Sequence, residues 1–195
     1  MIERLTALVL IIVLSPVLVI LSVLIVLTSG WPFWYAEQRV GMNGKKFWLY
    51  KFRSMRFGAD REQEKLRKLN EADGPVFKIY NDPRLTKFGG FLFHSGLDEL
   101  LQLFNIVRGE MSLVGPRPLP VAEENKIKEV YKNREKVNPG IISPWIFMGY
   151  HKLSFAQWMQ SDLEYVKNKN WFYDLKLVIN GGVMLVRLVI KNLIF

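Results

Sequence analysis

The sequence predicts a mostly helical α+β protein that is attached to a membrane. Residues 5–36 carry no charge, and most of residues 5–27 are Leu, Val or Ile. About 20 apolar residues are enough to cross a bilayer, so this run is long enough for a membrane helix. Residues 46–55 alternate in polarity and are rich in aromatic side chains, which is typical of a short strand. Residues 175–195 are largely apolar, and their polar side chains fall on one helical face, as in helices that lie along a membrane surface.

Composition narrows the classes of function. The 195 residues carry a net charge of +9, contain no cysteine and include only two histidines. The positive charge suits an anionic partner such as a phospholipid surface, a phosphorylated substrate or a nucleic acid. The absence of cysteine excludes disulfides, thiolate catalysis and cysteine–zinc sites. The length suits one domain with one membrane element.

Pro16 interrupts the apolar run and leaves two topologies open. Proline removes a backbone hydrogen bond, and the arms on either side of it are each roughly 17 Å long, shorter than the ~30 Å hydrocarbon core. A kinked helix could cross the bilayer, with Ser15 satisfying the freed carbonyl, or a bent helix could return to the same face. The bases within residues 39–51 place the main body in the cytoplasm. The residues alone slightly favour crossing.

Residues 95–109 give the clearest signal for a helix in the remaining chain. Four apolar residues recur at i, i+3, i+4 and i+7, namely Leu97, Leu100, Leu101 and Phe104. Ser95 is the predicted N-cap, and Gly109 stands where a C′ glycine belongs. Residues 121–136 and 158–170 are also predicted helices.

Asp98 and Glu99 are adjacent acids in the first turn of that predicted helix. A structural interpretation is available, because Ser95-x-x-Asp98 matches a capping box and acids there are stabilised by ~0.3–1 kcal/mol. A chemical interpretation is available too, because neighbouring helical residues diverge by about 100°, so one acid could attack while the other handles a proton. Arg117 follows within the stiff sequence GPRP, and such a loop suits phosphate recognition.

Three motifs resemble signatures of the bacterial sugar transferase family, the monotopic polyprenyl-phosphate glycosylphosphotransferases or phosphoglycosyl transferases. They are KFRSM at 51–55, LDEL at 97–100 and GEMSLVGPRP at 109–118. Four further pieces support the resemblance: Ser15-Pro16, QRVG at 38–41, DPRLT at 82–86 and the D-x-x-Y pattern at 162–165. The resemblance covers nearly the whole chain in order, and it implies the catalytic unit alone, without the extra membrane helices of larger members.

The resemblance implies a reaction. Asp98 would be the nucleophile that attacks the sugar-linked phosphate of a nucleotide diphosphate-sugar, expected to be a UDP-sugar. Polyprenyl phosphate, such as undecaprenyl phosphate, would then accept the sugar phosphate, with Glu99 as the base and Mg²⁺ near Asp98. This would be the first membrane step of glycoconjugate or exopolysaccharide assembly. The candidate phosphate or nucleotide contacts are Lys51, Arg53, Arg84 and Arg117.

The resemblance also implies a topology, and it reverses the interpretation from the residues alone. Residues 1–30 would form a re-entrant helix bent at Ser15-Pro16. Residues 31–195 would form the catalytic domain on the cytoplasmic face of the inner membrane, with amphipathic helices at the lipid interface.

The chain departs from the family pattern at two arginines. Phe93 stands where the family usually has one, and Gly149-Tyr150 lacks the arginine of a G-R pair. These losses keep open an alternative, a catalytically impaired membrane scaffold of a glycan-assembly complex, although the Asp98-Glu99 pair is intact. A nucleic-acid binder would explain the charge but no motif, so no nucleic-acid partner is expected. Assembly into a homo-oligomer is left open.

Overall fold

The computed structural model describes residues 1–148 and 153–194, and it is mostly helical with two small sheets. The α+β prediction is therefore confirmed. The α-helices are α1 (Ile2–Ser29), α2 (Lys87–Ser95), α3 (Gln102–Arg108), α4 (Val121–Glu124), α5 (Phe155–Asn168) and α6 (Trp171–Ile194). The strands are β1 (Trp34–Val40), β2 (Lys46–Phe52), β3 (Ser112–Val114) and β4 (Gly140–Ile142).

Strands β1 and β2 form an antiparallel hairpin, as the alternating pattern at 46–55 predicted for β2. Phe47 and Leu49 point into the core, whereas Trp48 between them is exposed. Strands β3 and β4 pair in parallel. Next to this pair, Gly115 and Gly140 approach so closely that a Cβ atom on either would collide with the backbone around the other. This contact fixes the start of the loop that carries Arg117.

Helix α1 runs without interruption past Pro16. The Ser15 hydroxyl donates a hydrogen bond of 2.8 Å to the carbonyl of Ile12, four residues before Pro16. That carbonyl is the one that a residue with an N–H at position 16 would engage. Ser15 thus satisfies the carbonyl that Pro16 leaves free, while the bend predicted at Ser15-Pro16 stays a prediction. Within the described residues, α1 is the one helix that is long and apolar enough to cross a membrane.

Both halves of α1 pack against the rest of the protein. Near its start, Ala7 is buried against a cluster that includes Ile106 of α3. Near its end, Ile25 is buried against Phe52 and Leu92. The last residue of the helix, Ser29, donates a hydrogen bond of 3.1 Å to the Thr86 hydroxyl. The helix therefore shares two hydrophobic clusters with the body over most of its length.

The helix predicted for residues 95–109 forms from Leu97 to Arg108, and it starts only after a break at Gly96. Gly96 has a φ of 78°, a left-handed conformation that ends α2 and is readily adopted by glycine. Ser95 is the last residue of α2 and donates to the Phe91 carbonyl at 2.6 Å, so it is not the predicted N-cap. A 3₁₀ helix, Leu97–Leu101, and then α3 follow. Gly109, with a φ of 79°, caps α3 as predicted.

The helix predicted for residues 121–136, by contrast, is interrupted. It consists of α4 and a separate 3₁₀ helix, Glu129–Lys136. Arg134 and Glu124 form an ion pair of 2.9 Å, whereas a continuous helix would separate these positions by roughly 15 Å along its axis. The chain folds back between them to bury both charges.

The two C-terminal helices agree better with the prediction. Helix α5 begins three residues earlier than predicted, because Ser154 and Gln157 form a capping box. Helix α6 covers the predicted amphipathic segment apart from residue 195, which lies outside the described residues. A row of apolar side chains along α6 is exposed, namely Phe172, Leu175, Ile179, Val183, Val186, Ile190 and Leu193.

Candidate active site

The acid pair lies on the 3₁₀ helix that follows the break at Gly96. Leu101, at the end of this helix, is buried against Phe52 and Leu92, which holds the acid pair beside β2. A 3₁₀ helix has 3.0 residues per turn, so Asp98 and Glu99 point in directions about 120° apart. Asp98 is only 4% exposed.

Two cations reach the acid pair from different elements. Lys51 on β2 donates a hydrogen bond of 3.3 Å to Glu99 Oε1, and its Nζ lies 4.0 Å from Asp98 Oδ2. Arg117, in the loop after β3, donates one of 2.8 Å to the same Oε1 atom. Two of the four predicted phosphate contacts thus bind Glu99, and Lys51 also lies beside Asp98.

The surroundings give the two carboxyl groups opposite acidities. Burial, together with the negative charge of Glu99, raises the pKa of Asp98 to about 7 against the attraction of Lys51. Burial also acts to raise the pKa of Glu99, but the charges of Arg117 and Lys51 outweigh it and lower that pKa to about 2. A pair of neighbouring carboxyl groups with separated pKa values is a common arrangement in active sites.

Arg53 and Arg84 lie elsewhere. Arg53 is buried, and its Nη2 donates to the carbonyls of Ser29 and Gly30 at the C-terminal end of α1. Arg84 forms a two-pronged pair with Asp82, with bonds of 2.9 and 2.7 Å. In this arrangement both guanidinium groups stabilise the fold, and their contact with substrate stays a prediction.

Phe93, which replaces a family arginine, lies on the last turn of α2. Its ring packs edge-on against the ring of His94, with centroids 5.3 Å apart. The second altered position, Gly149-Tyr150, lies outside the described residues.

The family model for bacterial sugar transferases matches residues 1–187. The chain belongs to this family. It is 37% identical over 152 residues to the galactosyl transferase CpsE of Streptococcus agalactiae serotype III, which covers 77% of this chain and 34% of CpsE. It is 36% identical over 171 residues to the exopolysaccharide production protein ExoY of Rhizobium meliloti, which covers 84% of this chain and 74% of ExoY.

A third relative is named for its reaction. The chain is 36% identical over 173 residues to the UDP-glucose:undecaprenyl-phosphate glucose-1-phosphate transferase of Escherichia coli K12. This match covers 84% of the chain and 35% of that protein. The chain thus spans about a third of the length of this relative and of CpsE, and about three quarters of ExoY. The predicted family is confirmed.

In this member of the sugar transferase family, Arg39 lies in the site region but was not among the predicted site residues. It lines a shallow depression together with Lys51 and Arg117. Its Nη1 donates a hydrogen bond of 3.0 Å to the carbonyl of Pro118, next to Arg117. The QRVG motif at 38–41 contained the signal, but it served only as support for the family resemblance. Arg39 also forms an ion pair with Glu37, so part of its charge is offset within β1.

Proposed function

We propose that this protein transfers a sugar 1-phosphate from a UDP-sugar to undecaprenyl phosphate, in the first membrane step of exopolysaccharide or glycoconjugate assembly. The reaction named for the Escherichia coli relative and the name of ExoY support the class of reaction and the pathway. The observation that carries the proposal is the buried Asp98 beside an ionised Glu99, with Lys51 and Arg117 in contact with the pair. In this arrangement Asp98 is the nucleophile, and Lys51 and Arg117 are the cations that can bind the two phosphate groups of the donor.

In the first step, a carboxylate oxygen of Asp98 attacks the phosphorus atom that carries the sugar. The bond from that phosphorus to the bridging oxygen breaks, and UMP leaves with the electron pair. The product on the protein is an acyl phosphate, in which the phosphosugar is joined to the Asp98 carboxylate. Lys51 and Arg117 offset the negative charges that this attack brings together.

In the second step, a phosphate oxygen of undecaprenyl phosphate attacks the same phosphorus atom. The bond to Asp98 breaks, which restores the carboxylate and leaves the sugar joined to the lipid through a diphosphate. Glu99 is a poor base in the present arrangement, because Arg117 and Lys51 hold its pKa near 2. Donor phosphates would draw these cations away from Glu99, and its pKa would then rise towards that of a useful proton acceptor.

The site also suits Mg²⁺. Within the described residues, no three His, Asp or Glu side chains form a metal cage. Mg²⁺ is commonly held by one or two carboxylates together with substrate phosphates, so Asp98 and the donor diphosphate form a suitable set. The bound ion would neutralise phosphate charge during the transfer.

We also propose that α1 enters the cytoplasmic leaflet and returns to the same face. The contacts of both halves of α1 with one body support this topology, because a crossing helix would carry Arg4 and Ala7 away from that body. The Arg4 guanidinium packs against Gly109, where any side chain would collide with it. Residues 1–30 would be the membrane element, and residues 31–195 would be the catalytic domain on the cytoplasmic face. The exposed apolar row of α6 would lie against the lipid surface.

The function is tested by intact-protein mass after incubation with a UDP-sugar and magnesium but no lipid acceptor. Among UDP-sugars, a donor is first identified by release of UMP in the presence of undecaprenyl phosphate. With that donor, Glu99→Gln is expected to gain the mass of one sugar phosphate and to transfer it slowly. Asp98→Asn is expected to gain no mass and to abolish transfer, because a neutral amide cannot form the acyl phosphate.

Matched controls separate chemistry from folding. Asp60→Asn and Glu64→Gln make the same chemical changes at exposed positions and are expected to behave as the unsubstituted protein. A folded Asp98→Asn protein that transfers at the native rate would contradict the mechanism. Failure of every nucleotide sugar to release its nucleoside monophosphate would favour the scaffold alternative, to which the loss of the arginine at Phe93 points.

A further inference from the structure

The loop that carries Arg117 is held through its backbone carbonyls. Residues 116–119 include two prolines, and a third follows at Pro120, so the segment has few N–H groups with which to form regular structure. Each of its four consecutive carbonyls accepts a hydrogen bond from another part of the protein. The donors are, in order, the Gly140 N–H, the Arg134 guanidinium, the Arg39 guanidinium and the Val40 N–H.

Among these donors, Arg134 is the one that engages Arg117 itself. Its side chain is 3% exposed and lies between two buried acids. Nη1 donates to Glu124 at 2.9 Å, while Nε and Nη2 donate to Asp162 at 3.0 and 2.8 Å. Nη2 also donates to the Arg117 carbonyl. The planar fork of a guanidinium can meet these three partners at once, whereas an ammonium group cannot.

The same face of α5 holds the loop at a second point. Asp162 and Tyr165 are one helical turn apart, and both are fully buried. The Tyr165 hydroxyl lies 3.1 Å from the carbonyl of Val114, at the start of the loop. The D-x-x-Y pattern therefore supports the loop directly at Val114 and through Arg134 at Arg117.

We propose that Arg134, held by Glu124 and Asp162, is a positioning residue that keeps Arg117 beside the acid pair, where its guanidinium contacts Glu99 until donor phosphates compete for it. The carbonyl that Arg134 grips and the guanidinium that contacts Glu99 belong to the same residue. Fixing the carbonyl limits the backbone rotations that would carry the guanidinium away, and such preorganisation is a general requirement of active sites. The expected effect of Arg134 on sugar phosphate transfer rests on the proposed function, whereas its effect on the position of Arg117 does not.

The first test measures UMP release by Arg134→Lys, which keeps the charge between the two acids but removes the fork. We expect turnover to fall at least about tenfold in the otherwise native protein. In an Arg117→Ala background, the same substitution is expected to change turnover less than about twofold, since the residue that it positions is absent. An equal loss in both backgrounds would overturn the proposal. Arg67→Lys, at an exposed ion pair with Glu64, is the charge-preserving control.

The second test needs no activity. The coupling between Arg117 and Glu99 is measured from thermal unfolding midpoints of Arg117→Ala, Glu99→Gln and the double variant. We expect a measurable coupling when Arg134 is present and no coupling in the Arg134→Lys background. A coupling that is undiminished in that background would overturn the proposal. If Arg134→Lys does not fold, Asp162→Asn takes its place, because the amide keeps the shape and loses the charge. Loss of coupling in a protein that transfers no sugar would contradict the proposed function alone.

Discussion

At the scale of single residues, Asp98 and Glu99 are chemically similar but differ in their surroundings. Asp98 is buried with the Lys51 ammonium 4.0 Å away, whereas one oxygen of Glu99 accepts hydrogen bonds from both Lys51 and Arg117. The pKa of Asp98 is therefore raised to about 7 and that of Glu99 lowered to about 2. Glu99 serves as the anchor for two cations until phosphates compete for them.

The residue-scale prediction concerns Arg117. Phe93 supplies no charge where the family usually has an arginine, so phosphate binding depends more heavily on the remaining cations. A charge-assisted hydrogen bond contributes ~1.5–3 kcal/mol, so Arg117→Ala should lower kcat/KM for UMP release about tenfold or more. Arg67→Ala, at an exposed position, should leave it unchanged. Native kinetics in Arg117→Ala would remove this residue from the site.

At the scale of elements, α1 combines a membrane composition with contacts to the body. Its exposed side chains are apolar over most of the helix, whereas Ala7, Leu18, Leu21 and Ile25 are buried. Ser15 satisfies a carbonyl that Pro16 leaves free, so the proline does not break the helix here. The buried side chains of α1 therefore pack against the body, and its exposed apolar side chains are suited to contact with lipid.

The element-scale prediction concerns topology. The natural sequence has no cysteine, so single cysteines at Ile2 and Asn43 would each be the sole thiol. A membrane-impermeant thiol reagent should label both from the cytoplasmic side of inner-membrane vesicles and neither from the periplasmic side. Periplasmic labelling at position 2 would contradict the re-entrant topology. Pro16→Leu should shift labelling at position 2 towards the periplasm, because leucine restores the backbone N–H that proline lacks and favours a straight apolar helix that crosses. Position 43 serves as the fixed reference.

At the scale of the whole molecule, a buried charge network joins three segments that are distant in sequence. Glu124 on α4, Arg134 on the 3₁₀ helix Glu129–Lys136 and Asp162 on α5 are all nearly inaccessible. Burial, together with the negative charge of Glu124, raises the pKa of Asp162 to about 6 against the attraction of Arg134. The ionised form of Asp162 is therefore less stable in the folded protein than in the unfolded chain.

The whole-molecule prediction follows from linkage. Between the ordinary pKa of 3.8 and about 6, the folded state binds more protons at Asp162 than the unfolded state does. The contribution of Asp162 to the free energy of unfolding should thus fall as pH rises through this window and stay constant above about pH 7.

The test of this prediction compares thermal unfolding midpoints of the native protein and Asp162→Asn from pH 4.5 to 7.5 in detergent. The unfolding midpoint of the native protein minus that of Asp162→Asn should fall as pH rises. If this difference instead grows with pH, the attraction of Arg134 outweighs the effect of burial on the pKa of Asp162, and the prediction is wrong. Asp60→Asn, at an exposed position, supplies the control for general effects of losing a carboxylate.

Several features of the protein were determined by short stretches of sequence. The uninterrupted apolar run specifies α1, alternation specifies β2, and a glycine at 109 specifies the end of α3. The motifs around Lys51, Asp98 and Arg117 were sufficient to predict the family. Each of these depends on neighbours within a few residues or on a motif that is contiguous in the chain.

Other features were decided only by tertiary structure. Arg117 and Lys51 meet Glu99 across 18 and 48 residues of sequence, whereas Arg53 and Arg84, in motifs that looked equally suitable, turn to other partners. The fold-back between Glu124 and Arg134 overrides a helical pattern because it buries a charge network. Local propensities contribute tenths of a kcal/mol per residue, whereas an unpaired buried charge costs several. The packing that satisfies those charges therefore determines which residues come together.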